Sequence, residues 1–130
     1  MSSTEEHASE TSGSQSAAIS QRVVRLLSEY TGRGPTKART TISRDLITVV
    51  LEDTLTKGER SLVANGKDDL VLTTRFAFQQ TMRTDLVAAV QDITGRDVAA
   101  FMSANHIDPD MAVEVFVLSP EAGSGGYGSS

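Results

Sequence analysis

The tripeptide Thr-Gly-Arg occurs twice, at residues 31–33 and 94–96, and each copy separates an amphipathic stretch from an extended one. A glycine directly after a helical stripe suits the left-handed position that stops helices. In the first copy Pro35 also forbids continuation. Each copy is therefore a joint where a helix has to end and a strand begin. The same order follows both times: helix, joint, strand, a turn containing Asp, and a strongly apolar strand. The chain reads as two helix–strand–strand units linked by a short helix. This predicts an α+β fold in the order α-β-β-α-α-β-β, with two antiparallel hairpins forming one sheet packed on two long helices.

The elements follow from periodicity. Ile19, Val23, Leu26, Leu27 and Tyr30 fall on one face of a helix expected over Ala17–Thr31. From Thr36 to Ile42, Ala38, Thr40 and Ile42 alternate with Lys37, Arg39 and Thr41, as in a half-exposed strand. Ser43-Arg44-Asp45 is the turn into a second strand, Leu46–Leu51. Thr56 and Glu59 match a capping box that starts a short helix reaching Ala64. Asp68 or Asp69 is expected to cap a long helix to Ile93, striped by Val71, Thr74, Phe78, Met82, Leu86, Val90 and Ile93. Strands are expected at Val98–Ala104 and Ala112–Leu118, joined by a loop containing His106-Ile107-Asp108-Pro109-Asp110.

Outside this frame lie residues 1–16, rich in Ser, Thr and Glu, and a Gly/Ser tail over residues 120–130. Neither has enough apolar surface to offset its ordering entropy, so both are expected to be disordered around one domain at 17–119. The 130 residues contain no Cys and no Trp, which removes thiolate chemistry and leaves packing to small aliphatics. No apolar run approaches the roughly 20 residues of a membrane span, and the N-terminus lacks the regions of a secretory signal. The expectation is a soluble, cytoplasmic protein without direct membrane insertion. Of the 17 acidic residues Glu5, Glu6, Glu10 and Glu121 lie in the tails, leaving 13 against 12 basic ones. A near-neutral domain lacks the basic footprint of nucleic-acid binding.

Two stretches invite chemical readings. His106, Asp108 and Asp110 place an imidazole and two carboxylates within five residues. Metal centres need three or four converging ligands, however. Asp-Pro-Asp is also what a tight turn requires. Gly32-Arg33-Gly34-Pro35-Thr36 resembles a phosphate loop, but it follows a helix instead of opening one, so the nearby dipole has the wrong sign. Arg33 and Arg96 are placed to meet the C-terminal carbonyls of their own helices. Arg60, Arg75 and Arg83 read as a solvated helix face. Only His7 and His106 are present, and no Gly-x-Ser-x-Gly elbow occurs. These observations point to a protein that is not an enzyme, with no cofactor.

The strands Leu46–Leu51 and Ala112–Leu118 are apolar on both faces. One helical layer covers only one face of a sheet, so either helices cover both or a second chain covers one. A partner chain is the favoured cover, because two long helices and a short one are few for two faces. The charges also divide. Residues 20–44 carry six basic groups against Glu29, whereas residues 85–114 carry six acidic groups against Arg96. Such fields steer either the two halves together or two chains head to tail.

Taken with Asp45–Arg60 and Ala112–Leu118, the motifs Gly32–Thr36 and His106–Asp110 resemble the MpsC-like domain family across Ile19–Leu118. The resemblance implies a small bacterial accessory protein associated with a sodium- and bicarbonate-linked membrane transport system. It carries no catalytic residues over. The expected function is therefore that of a non-enzymatic accessory or regulatory protein, acting as a homodimer or with a protein partner, and associating peripherally with transport proteins. Gly32, Arg33, Gly34, Pro35, Thr36, His106, Asp108 and Asp110 are its candidate interaction residues. The alternative is a small-ligand or metal-binding sensor that uses the same two loops.

Overall fold

The computed structural model describes residues 3–34 and 37–120, with side chains from residue 13 onward. Pro35, Thr36 and the Gly/Ser tail from residue 121 lie outside the described residues. The elements are α1 (Ser3–Thr31), β1 (Lys37–Ser43), β2 (Leu46–Glu52), α2 (Lys57–Ala64), α3 (Asp68–Thr94), β3 (Val98–His106) and β4 (Met111–Leu118). This is the expected order, and both hairpins join one antiparallel sheet with strand order β1-β2-β4-β3. α1 begins before Ala17, where the apolar stripe starts. Glu, Ala and Gln there are compatible with helix, and extending a formed helix is far cheaper than nucleating one.

Both joints form as their residues require. Gly32 and Gly95 have φ of 79° and 71°, and each donates its amide to the carbonyl four residues back, Ser28 and Gln91. The α2 capping box is complete, with Thr56 and Glu59 exchanging hydrogen bonds. The α3 cap differs from expectation. Lys67 occupies the capping position without a side-chain bond, and Asp68 and Asp69 stand in the first turn, where their charge complements the helix dipole.

α1 and α3 run antiparallel, as Arg22–Asp92 (3.6 Å) and Tyr30–Asp85 (2.6 Å) show. The Tyr30 hydroxyl donates to that carboxylate, which raises its pKa. The basic unit and the acidic unit therefore meet within one chain. Between the helices and the sheet lies the core: Ile19 and Val23 from α1, Met82, Leu86 and Val90 from α3, and Ile47, Val49, Leu51 and Phe116 from the sheet. The rings of Phe101 and Phe116, both buried, lie 5.1 Å apart within it.

All of this packing is on one side. Ile47, Val49 and Leu51 are buried, while Leu46, Thr48 and Val50, pointing the other way, are exposed or half-buried. β4 repeats the pattern, with Ala112, Glu114, Phe116 and Leu118 inward and Val113, Val115 and Val117 outward. Among the described residues, helices cover one face of the sheet and not both.

Candidate functional site

The register brings the two candidate loops to one end of the sheet. Lys37 opposes Glu52, Glu52 opposes Met111, and Met111 opposes His106. The approach to β1 and the tip of the β3–β4 hairpin are thus neighbours, although they sit at opposite ends of their own hairpins. Asp53, just after β2, links them. Arg33 donates to the Asp53 carbonyl and, at 3.0 Å, to its carboxylate. Arg60 pairs with the other carboxylate oxygen, and the Asp53 amide reaches the Asp110 carbonyl at 3.0 Å.

Within this cluster the roles separate. The Asp110 carboxylate accepts the amides of Thr54 and Leu55, each at 3.0 Å, and the Thr54 hydroxyl at 2.9 Å. It therefore holds the β2–α2 loop in place instead of closing its own turn. His106 Nδ1 donates to the Pro109 carbonyl at 2.8 Å within the turn. Asp108 is exposed at the tip. Gly34 lies so close to α1 that a Cβ would meet Val24 Cγ1 at 3.3 Å and the Val24 carbonyl at 3.4 Å. Gly32 is the left-handed stop. Among the described residues no group of three or more His, Asp or Glu side chains converges to hold a metal.

The joint arginines depart from expectation. Arg33 and Arg96 do not fold back on their helix ends. Arg33 reaches Asp53, and Arg96 reaches Asp45 at 2.7 Å and the Ser119 carbonyl at 2.8 Å. Asp45 precedes β2 and Asp53 follows it, so the two joints clamp opposite ends of one strand. A carboxylate outcompetes a helix-end carbonyl because both partners are charged.

On the uncovered side, the sheet presents Val50 on β2, Val113, Val115 and Val117 on β4, and Met102 on β3, the last 52% exposed. The outward side chains of β1 on this face include Lys37 and Arg39.

The helical side holds what the sequence reading missed. Glu114 points inward from β4 and has no exposed surface. It accepts from Gln79 Nε2 at 2.9 Å and from the Ser103 hydroxyl. Gln79 and Asn105 exchange two further bonds of 2.7 and 3.2 Å. Arg75 joins Asn105 (3.2 Å) to Glu59 (2.9 Å). Arg75 is only 12% exposed, so it is not the solvated residue its helix pattern suggests. Burial pushes the Glu114 carboxyl up to about 7, against the downward pull of Ser103, Gln79 and Arg75. The signal was present in the strand's alternation, which gives Glu114 the inward parity of Ala112 and Phe116.

Beside this network is a cavity of about 230 Å³. It exists because α1 stops at the Thr31 joint while α3 runs on, leaving the helical layer one helix short above Leu51 and Ala112. α2 closes the gap only in part. Thr74 and Phe78, expected in the apolar stripe of α3, line this cavity and are exposed.

A four-stranded antiparallel sheet with three helices in the order α-β-β-α-α-β-β defines a small α+β domain. The family model described as Na+-translocating membrane potential-generating system (MpsC) matches residues 11–120, and the chain belongs to that family. No curated protein and no solved structure matches it. No helix among the described residues is long and apolar enough to cross a membrane.

Proposed function

We propose that this protein is a non-enzymatic, cytoplasmic accessory or regulatory protein that acts by association, with a second copy of itself covering the open face of the sheet. The observation that carries the reading is the apolar centre of that face, at Val50, Val113, Val115 and Val117, which no helix among the described residues covers. Four strands spaced about 4.8 Å apart, each seven to nine residues long, give a footprint of roughly 500 Å² per chain. Two such faces bury about 1,000 Å² together, which reaches the lower bound of a specific interface. A two-fold axis lying between the sheets and parallel to the strands stacks β1 on the partner's β3. Lys37 and Arg39 then meet the acidic hairpin tip at Asp108 of the partner subunit, and the apolar centres coincide.

The family description supports a peripheral role beside a sodium-translocating membrane system. A sensor built on the two loops has less support, since Arg33 and Asp110 are engaged with Asp53, Thr54 and Leu55. Light scattering after size exclusion tests the association. At about 50 µM the expected mass is that of a dimer, and Val115→Lys, which places a charge in the apolar centre, gives a folded monomer. A monomeric wild type at that concentration refutes the reading.

A further inference from the structure

We propose that the cavity between α1, α2, α3 and the sheet is a binding site for a small amphipathic amine, whose ammonium pairs with Glu114 and Glu59 while its apolar body lies against Leu27, Leu51 and Met82. The cavity's size sets the ligand's size. A cavity of about 150 Å³ holds benzene, so about 230 Å³ accommodates roughly nine or ten non-hydrogen atoms. Its lining sets the polarity, with an apolar floor and a polar wall of Thr56, Glu59, Arg75, Gln79 and Glu114.

The hydrogen bonds already made set the sign of the head group. Gln79 Nε2 donates to both Glu114 and Asn105, and Arg75 uses Nε and Nη1 on Asn105, Glu59 and the Thr54 carbonyl. The wall's donors are therefore largely committed, while its two carboxylates keep unused lone pairs. Two carboxylates against one guanidinium leave an excess of negative charge when Glu114 is ionised. Glu114 lines the cavity yet touches no solvent. An ammonium that displaces the side chains at the mouth supplies the counter-charge that burial denies it. A carboxylate ligand would meet two like charges in the same space.

This also makes binding depend on pH. The charged groups facing Glu114 are Arg75 from α3 and Glu59 from α2, whereas α1 contributes Leu27 and Thr31, β2 contributes Leu51, and β3 contributes Ser103 and Asn105. Glu59 is already engaged by Arg75 and the Thr56 amide, so the ammonium gains an uncompensated partner only as Glu114 ionises, and affinity rises with pH through neutrality.

The test is a methyl-resolved NMR titration of the full chain with 2-phenylethylamine, 2-phenylethanol and 3-phenylpropionate at constant ionic strength. The amine is expected to saturate shifts at Met82 and Ala112 with a dissociation constant below about 1 mM at about pH 8. The alcohol binds at least about tenfold more weakly and the carboxylate does not saturate. Lowering the pH to about 5.5 removes the amine's advantage. Glu114→Gln does the same at high pH, and Ala112→Leu, which fills the cavity, abolishes binding of both. An amine that binds no better than the alcohol overturns the proposal, as does a preference that survives Glu114→Gln or shifts confined to other regions. If Glu114→Gln does not fold, the pH comparison and Ala112→Leu still decide. The cavity lies on the helical side, so Val115→Lys leaves amine binding intact whatever it does to association.

Discussion

At position 114 the pleat of β4 turns a carboxylate into the core, and the consequence is measurable in stability. The Glu114 carboxyl titrates at about 7 in the fold against an ordinary value of 4.5, with burial the leading cause. A raised acid pKa means that the folded state binds the extra proton. The contribution is fully present below about 4.5 and is lost as pH rises through about 7. The span corresponds to a cost on the order of 3 kcal/mol for the ionised form. Glu114→Gln is therefore expected to match wild type in urea unfolding near pH 4.5 and to exceed its stability above pH 7. A wild type that still matches Glu114→Gln at pH 8 contradicts the assignment. At this scale the sequence was only partly legible. The alternation of Met111–Leu118 shows which way Glu114 points, but Gln79, Ser103, Asn105 and Arg75 come from two other elements, and no local pattern announces their convergence.

Among the elements, the Thr-Gly-Arg joints were the most legible, and the structure adds a common hydrogen-bond arrangement. Thr31 and Thr94 each donate a hydroxyl to the carbonyl four residues earlier, at 2.7 and 2.8 Å, and accept the amide of the following arginine. The glycine between them takes a left-handed conformation that costs other residues about 1–2 kcal/mol. Gly95→Ala is expected to destabilise the fold by about that amount in chemical denaturation. Arg96→Lys should also lower stability, because one Nη of the rigid guanidinium bridges Asp45 and Ser119, and a flexible lysine stem loses more freedom in holding an ammonium there. Loss of less than about 0.3 kcal/mol in Gly95→Ala would show that the left-handed stop is not what ends α3. What the local sequence did not disclose is the target of each arginine. Asp45 and Asp53 become partners because β2 is central, so that its two ends lie under the ends of two different helices.

For the whole molecule, the question is what covers the second face of the sheet. The stacking that places Lys37 and Arg39 beside Asp108 of the partner subunit makes a charge-reversal prediction. Arg39→Asp and Asp108→Arg are each expected to weaken the dimer by about five- to tenfold in analytical ultracentrifugation, since the pair occurs twice per dimer and exposed pairs contribute little each. The double variant should recover most of the loss, and an additive loss would exclude this stacking. The sequence alone determined the order of elements, where both long helices stop and that two strands are apolar on both faces. These are local matters of periodicity, capping and backbone conformation. Only the tertiary structure decided that the helices share one face, that the two candidate loops meet at one sheet end, and that a cavity opens beside a buried carboxylate. Those follow from strand order and helix length, which bring together residues from separate elements whose contacts carry no local signature.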